Sequence, residues 1–285
     1  ETNFLELYLP KLRYVRWGVK GDPLFVLLGS VDNGILGNGF ILGGYTNTQY
    51  LPERRIFGMS LDVDGQLFNF PYVGLETFAA NLAAFDLIGS RLFVRPLVGT
   101  NIPIVKNLQI GGTVAVDRDP FYFAEKAVDD AALATYLPPG MTDPGAASVF
   151  VWGTDLRLPI LSNPAISLAT FGDFVMQQQN RGGMVGLGGR LFGIVPYGAQ
   201  LRFLGDNFIP VYFDAAYDLF RPEKYAVYAG VPGYTTDSYI GWFASLGLAL
   251  LDDQIVVNVA MDGPFNPDPT GGTFAKPHLL ANLSL

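Results

Sequence analysis

Ile240-Gly241-Trp242-Phe243-Ala244-Ser245-Leu246-Gly247-Leu248-Ala249-Leu250 is the stretch on which the fold turns. Its large apolar residues, Ile240, Trp242, Leu246, Leu248 and Leu250, fall with Ala244 on alternate positions, opposite Ser245 and Gly247. A period of two is the signature of a strand whose side chains point alternately to two faces. Phe243 apart, the opposing positions hold small or polar residues, which suit water better than a dry core. The pattern recurs along the chain. Met59, Leu61 and Val63 alternate with Ser60, Asp62 and Asp64, and Leu108, Ile110, Val114 and Val116 alternate with Gln109, Thr113 and Asp117. Leu156, Leu158 and Ile160 oppose Asp155 and Arg157 in turn, and Ile255, Val257, Val259 and Met261 oppose Asn258 and Asp262. The row Ile209, Val211, Phe213, Ala215, Tyr217 and Leu219 reads the same way against Asp214 and Asp218.

Punctuation separates these rows. Gly21-Asp22, Asp64-Gly65, Ser162-Asn163-Pro164, Phe192-Gly193, Gly205-Asp206-Asn207 and Asp252-Asp253 are short turn-forming breaks. Long connections, 33–55, 120–147, 232–237 and 263–276, interleave with them. The expected strands are 5–20, 23–31, 56–64, 66–78, 87–97, 107–118, 148–160, 165–176, 183–192, 194–204, 207–219, 224–231, 238–251, 254–262 and 277–285. A closed antiparallel barrel of bacterial type needs an even number, so this odd list points to fourteen to sixteen. Pro10 is the natural place to split the first segment, because Pro sits at strand ends and edges. Merging 66–78 or 224–231, or a strand upstream of Glu1, would also restore parity. Two weak helical stripes, Ala79–Phe85 and Val128–Tyr136, lie inside connections.

Composition narrows the function classes. Of 285 residues, 49% are hydrophobic and 14% aromatic, too apolar for a disordered chain. Only 15% are charged, against about a quarter in soluble chains. A net charge of −8 gives no basic footprint for nucleic acid, and the absence of Cys removes thiol chemistry. No apolar run is long enough for a transmembrane helix. In a soluble sandwich the exposed faces would be rich in Lys, Glu and Thr. Here they carry Gly, Ser, Asp, Asn and Arg, and aromatic residues gather near strand ends, as at the rims of membrane barrels.

The last residues, Pro277, Leu279, Ala281, Leu283 and Leu285 alternating with His278, Leu280, Asn282 and Ser284, resemble the C-terminal strand by which bacterial outer-membrane barrels are recognised for assembly. Those strands most often end in Phe, and Leu285 departs from that. The resemblance is architectural, to porin-like outer-membrane β-barrels. It implies one domain over 1–285: an all-β, transmembrane, antiparallel β-barrel in the bacterial outer membrane, with short periplasmic turns, long outer loops and a surrounding of outer-membrane lipid.

The expected function is a passive channel for small solutes or a hydrophobic molecule, without cofactor or metal. Arg91, Arg95, Arg157, Arg190 and Arg202, with Asp62, Asp117, Asp155, Asp173, Asp214 and Asp218, would line its lumen. They would either tune solute passage or pair with one another across strands. Asn33–Arg55, Gly-rich yet carrying Ile35, Leu36, Phe40, Ile41 and Leu42 and ending in Glu53-Arg54-Arg55, is the candidate constriction or plug; an outer loop packed on its neighbours is the other reading. The alternative function is a non-conducting structural barrel whose loops 120–147 and 232–237 meet an envelope partner, through Tyr234, Tyr239 or the acidic 125–130 stretch. An enzyme is not expected. His278 lies too far along its strand from Ser284 to activate it, and Glu125, Asp129 and Asp130 lack the spacing of a calcium loop.

Overall fold

The structure, a computed structural model, describes residues 8, 11–124, 130–251, 255–267 and 277–284. Its strands are β1 (Tyr14–Trp17), β2 (Leu24–Gly29), β3 (Gly34–Ile35), β4 (Gly43–Tyr45), β5 (Gly58–Asp64), β6 (Val73–Ala79), β7 (Leu87–Val94), β8 (Gln109–Asp117), β9 (Val149–Ser162), β10 (Ile166–Gln177), β11 (Asn180–Leu191), β12 (Val195–Leu204), β13 (Tyr239–Leu250), β14 (Ile255–Pro264) and β15 (His278–Ser284). Thirteen of these form one antiparallel sheet in the order β1-β2-β5-β6-β7-β8-β9-β10-β11-β12-β13-β14-β15, and β3 and β4 form a separate ribbon. Every neighbour in the large sheet is its neighbour in sequence apart from that ribbon, so the sheet is an up-and-down meander. β1 and β15 end the order, with no pairing between them among the described residues.

Register fixes which side chains share a face. Asp62 pairs with Glu76, Glu76 with Arg91, and Arg91 with Thr113; Gly111 pairs with Asp155, and Asp155 with Asp173. The polar positions of successive strands therefore line one side. On the other side the apolar rows stand uncovered: Leu246 is 59% exposed, Val185 53% and Leu279 67%. A soluble sheet would bury that row; here the opposite face is the covered one, and it carries these polar positions together with apolar residues such as Phe78, Leu87, Val149 and Val175.

Two long connections cover it. Segment 30–57 carries β3 and β4, and segment 205–238 carries a helix. The two join edge to edge: Val211 and Phe213 donate backbone N–H bonds to Phe40 and Ile41 O, and Gly43 donates to Phe213 O (3.0–3.1 Å). Leu36, Phe40, Leu42, Phe208, Phe213 and Tyr217 of these segments share one buried apolar cluster with Phe78, Leu87, Ala115, Val149, Val151, Val175, Met184 and Leu204 of the sheet. Adjacent residues Gly37 and Asn38 reach Glu76 on β6 and Asp173 on β10, strands that a flat sheet would hold about 19 Å apart. The sheet curls around the segment, with this face concave.

The connections 30–57, 118–148 and 205–238 leave one end of the sheet. The other end has short turns such as 163–165 and 192–194, with 95–108 longer. Ser162-Asn163 lies at the end opposite the 120–147 connection, and Asp252-Asp253 and most of 263–276 lie outside the described residues. Several expected strands do not form. Segment 207–219 is turns and a 3-10 turn (Tyr217–Leu219), and 224–231 overlaps a helix, Arg221–Tyr228. In 207–219 the apolar alternation mimics a strand, but the segment is buried from several sides and turns sharply, with Val211 at φ 52°. Pro222 in the helix's first turn suits a helix start. The expected strand 66–78 starts only at Val73, because the Asp64 carboxylate accepts from Gln66 N and caps a 3-10 turn, Gly65–Phe68. Ala79–Phe85 forms no helix: Ala79 ends β6 and 82–84 is a turn. Of Val128–Tyr136, Asp130–Leu133 is helical and Ala134–Tyr136 a 3-10 turn. Pro10, Glu125, Asp129 and Leu285 lie outside the described residues.

Candidate functional site: an ion-paired inner wall latched to an inserted segment

Arg91 is the centre of the inner wall. Its position on β7, between buried Gly89 and Phe93, aims it at the concave side, where it is 2% exposed. Its Nη1 donates to Glu76 on β6 (2.7 Å), and its Nε donates to Asp155 on β9 (2.9 Å), with a second bond from Nη2 to the same carboxylate. To reach β9 the side chain must cross β8. Gly111 is the residue it crosses, and a Cβ there would fall 2.4 Å from Asp155 Oδ2 and 2.7 Å from Arg91 Nε. The Arg ring contact is with Phe93, 4.7 Å from its centroid. Buried carboxylates with a bidentate guanidinium are among the stronger polar contacts a protein makes.

The 30–57 segment seats on this group. Gly37, at φ 58°, lies against Arg91, where a Cβ would approach Cδ and Nε to 2.9 Å. Its N–H donates to Glu76 Oε2 (2.8 Å). Asn38 Nδ2 donates to Asp173 on β10 (2.9 Å) and to Leu156 O (3.2 Å). Lys20 joins from the β1–β2 turn, 2.8 Å from Asp62. The wall and the segment thus share one charge network, with Arg91 holding both.

The base of the segment is tied by Asn47, 1% exposed. Its Oδ1 accepts from Val31 N (2.8 Å), and its Nδ2 donates to Ala80 O (3.0 Å) and Gly29 O (3.3 Å). Asn47→Leu strands these groups in a site closed to water, and urea titration should show a loss of about 2–4 kcal/mol. An unchanged midpoint would remove Asn47 from the account.

A second buried group closes the long-loop end. Arg221, 1% exposed, donates to Asp218 (2.7 Å from Nη2), Asp86 (2.7 Å from Nη1) and Asp117 (3.2 Å from Nη1). Tyr217 Oη donates to Asp117 (2.6 Å) and Tyr45 Oη to Asp218 (2.9 Å). Burial pulls the Arg221 guanidinium down, but the three carboxylates outweigh it and hold its pKa well above the ordinary value. Burial is likewise the main cause that pushes the Asp218 carboxyl up, against the pull of Arg221. One guanidinium therefore ties β8, the β6–β7 connection and the helix together. Compared with protein-family models, curated proteins and solved structures, the chain matches none.

The expected lumen residues divide accordingly. Asp62, Arg91, Asp155 and Asp173 gather in the first group. Asp117 and Asp218 belong to the second, and Asp218 is not on a strand as expected. Asp214 also lies off the wall, in the 205–238 segment, paired with Lys224 (2.8 Å). Arg202 pairs with Asp262 (3.0 Å) over Phe243, and His278 Nδ1 lies 3.4 Å from the same Asp262. Arg95 pairs with Asp64 near the short-turn end. Arg190, also near that end, donates weakly to Gly193 O (3.4 Å). Arg54 lies at the far end of its segment, bonded to Tyr122 Oη (3.0 Å), and Arg55 beside it is exposed. Tyr234 packs on Tyr136 with ring centroids 5.6 Å apart. Sequence reasoning missed Arg221, Glu76, Asp86, Lys20 and Asn38. Glu76 had a signal, since it sits on the polar face of a strand next to Arg91's; the others are in connections or a segment read as strand.

Arg157 differs from the rest. It points to the inner face two residues below Asp155, is exposed, and makes no ion pair among the described residues.

Proposed function

We propose that this protein is a bacterial outer-membrane β-barrel of porin-like kind, acting as a channel whose lumen is closed by its own 30–57 and 205–238 segments. The observation that carries this is the inverted sheet: apolar rows uncovered on the convex side, an ion-paired polar wall on the concave side. Apolar side chains left bare across a whole sheet cost free energy in water, at about 25 cal/mol per Å², and lipid removes that cost. A membrane strand needs about 9–11 residues. β9 to β14 run to 10–14. Exposed aromatic residues stand at both rims, Phe68, Phe70 and Phe192 at the short-turn end and Phe150, Trp152, Phe174 and Phe203 toward the other. Such belts mark the two interfaces of a bilayer.

In this reading the solute path opens when the 30–57 segment leaves the Arg91 group. Below the segment the wall is lined by small residues, Gly186, Gly188, Gly198 and Gly247, with Arg157 the free charge. Passage is diffusion past that charge, with no covalent step. The second reading, a non-conducting barrel, is favoured by the apolar cluster that joins both segments to the wall.

Single-channel recording in a planar bilayer separates the two. Discrete steps, rare in the wild-type chain, support the channel; silence from inserted protein, in wild type and in a chain with the segment shortened, contradicts it. In an open form, Arg157→Glu reverses the free charge, and reversal potentials under a salt gradient should move toward cation selectivity. An unmoved reversal potential would take Arg157 out of the path.

A further inference from the structure

A groove interrupts the convex face near the long-loop end. In register across four strands stand Phe174 (β10), Gly183 (β11), Phe203 (β12) and Ile240 (β13). The two Phe rings are separated by the one position in the row without a side chain. Gly183 has an ordinary negative-φ backbone, so conformation does not demand glycine there. A Cβ would meet Asp173 O at 3.1 Å, a tight contact with backbone, and no side chain fills the space beyond it. The contrast is Gly182 next to it on the opposite face, where Phe208 occupies the position at 2.3 Å. The result is an open groove of about 670 Å³, within the range of small-molecule sites.

One step toward the long-loop end, on the same face, are Arg181 and Ser238. The Arg181 side chain is exposed and has no hydrogen bond or ion pair among the described residues. Asp206 accepts from Ser238 N (2.8 Å) and forms no ion pair with Arg181 among the described residues. An unpaired guanidinium over an aromatic-walled apolar slot suits an anionic headgroup joined to an acyl chain, and the phosphate of a membrane lipid is such a headgroup.

Resting on the reading of the convex face as lipid-facing, we propose that this groove is a specific site for a phosphate-bearing membrane lipid, with an acyl chain over Gly183 between Phe174 and Phe203 and the phosphate on Arg181. Guanidinium binds phosphate oxygens through paired N–H donors, and Ser238 adds a hydroxyl at the same level. The site would hold one lipid among the many that merely surround the sheet.

The test is native mass spectrometry of the full chain released from micelles containing palmitoyl-oleoyl phosphatidylglycerol, or dioleoylglycerol as the same kind of chain without phosphate. The wild type should retain one phosphatidylglycerol. Gly183→Trp fills the slot and should lower retention of both lipids about tenfold. Arg181→Gln should lower retention of phosphatidylglycerol about tenfold and leave dioleoylglycerol unchanged. Equal retention by all three chains would mean unspecific lipid and would overturn the site. Displacement of the lipid by inorganic phosphate alone, or a dimer in place of a lipid adduct, would overturn it too. Flotation of each chain with vesicles separates this from the broader reading: chains that float but retain lipid alike defeat the groove, whereas chains that fail to float defeat the membrane barrel and the groove with it.

Discussion

Arg221→Met is expected to lower the unfolding free energy by about 3–5 kcal/mol, because it leaves Asp86, Asp117 and Asp218 buried around a side chain with no charge. The arrangement is unbalanced even in the native chain, three carboxylates to one guanidinium, and Asp86 Oδ1 already has no partner. Two hydroxyls, from Tyr45 and Tyr217, supply the remaining donors. Removing the one cation should therefore act on three elements together: β8, the β6–β7 connection and the helix. Urea titration followed by tryptophan fluorescence measures it. Arg221→Lys should recover part of the loss, since it restores the charge without the fork that reaches three carboxylates. A Met variant as stable as the wild type would show that Arg221 does not organise this end of the molecule.

The second large effect concerns the latch. Arg91→Ala removes the donor that Glu76 and Asp155 share and that Gly37 packs against. Leaving buried carboxylates unpaired costs about 3 kcal/mol or more, which raises the ratio of released to seated segment roughly a hundredfold. In planar bilayers the variant should show frequent openings where the wild type shows few. Replacing Leu36–Leu42 by a short Gly-Ser linker should go further and leave the channel open throughout. If both chains insert and conduct no more than the wild type, the segment is not what closes the lumen.

Much of this was readable beforehand. Rows such as Leu246, Leu248 and Leu250 against Ser245 and Gly247 obey a period that only a strand explains, and turn lengths assigned the two ends. For Asn33–Arg55 the sequence left two readings, a plug and an outer loop packed on its neighbours; in the structure Leu36, Phe40, Ile41 and Leu42 join the buried cluster against the concave face. What the sequence concealed lay in 205–238. There Ile209, Val211 and Phe213 alternate as a strand would, yet the segment is buried against another segment, and long-range contacts outweigh local periodicity. Arg221 was hidden for the same reason: its partners Asp86 and Asp117 are 135 and 104 residues away, and no local spacing announces them. Asp214 and Asp218 were assigned to the wall because they followed from that false strand.

On the proposed reading the convex apolar rows face lipid, and the absence of Cys allows this to be tested residue by residue. Single cysteines at 245 to 250, each carrying a nitroxide, would be placed in the protein reconstituted in bilayers, and collision with oxygen compared with collision with a water-soluble nickel complex. A period of two is expected, with positions 246, 248 and 250 oxygen-accessible and shielded from nickel, and positions 245, 247 and 249 shielded from oxygen-rich lipid. Equal nickel access along the strand would contradict it.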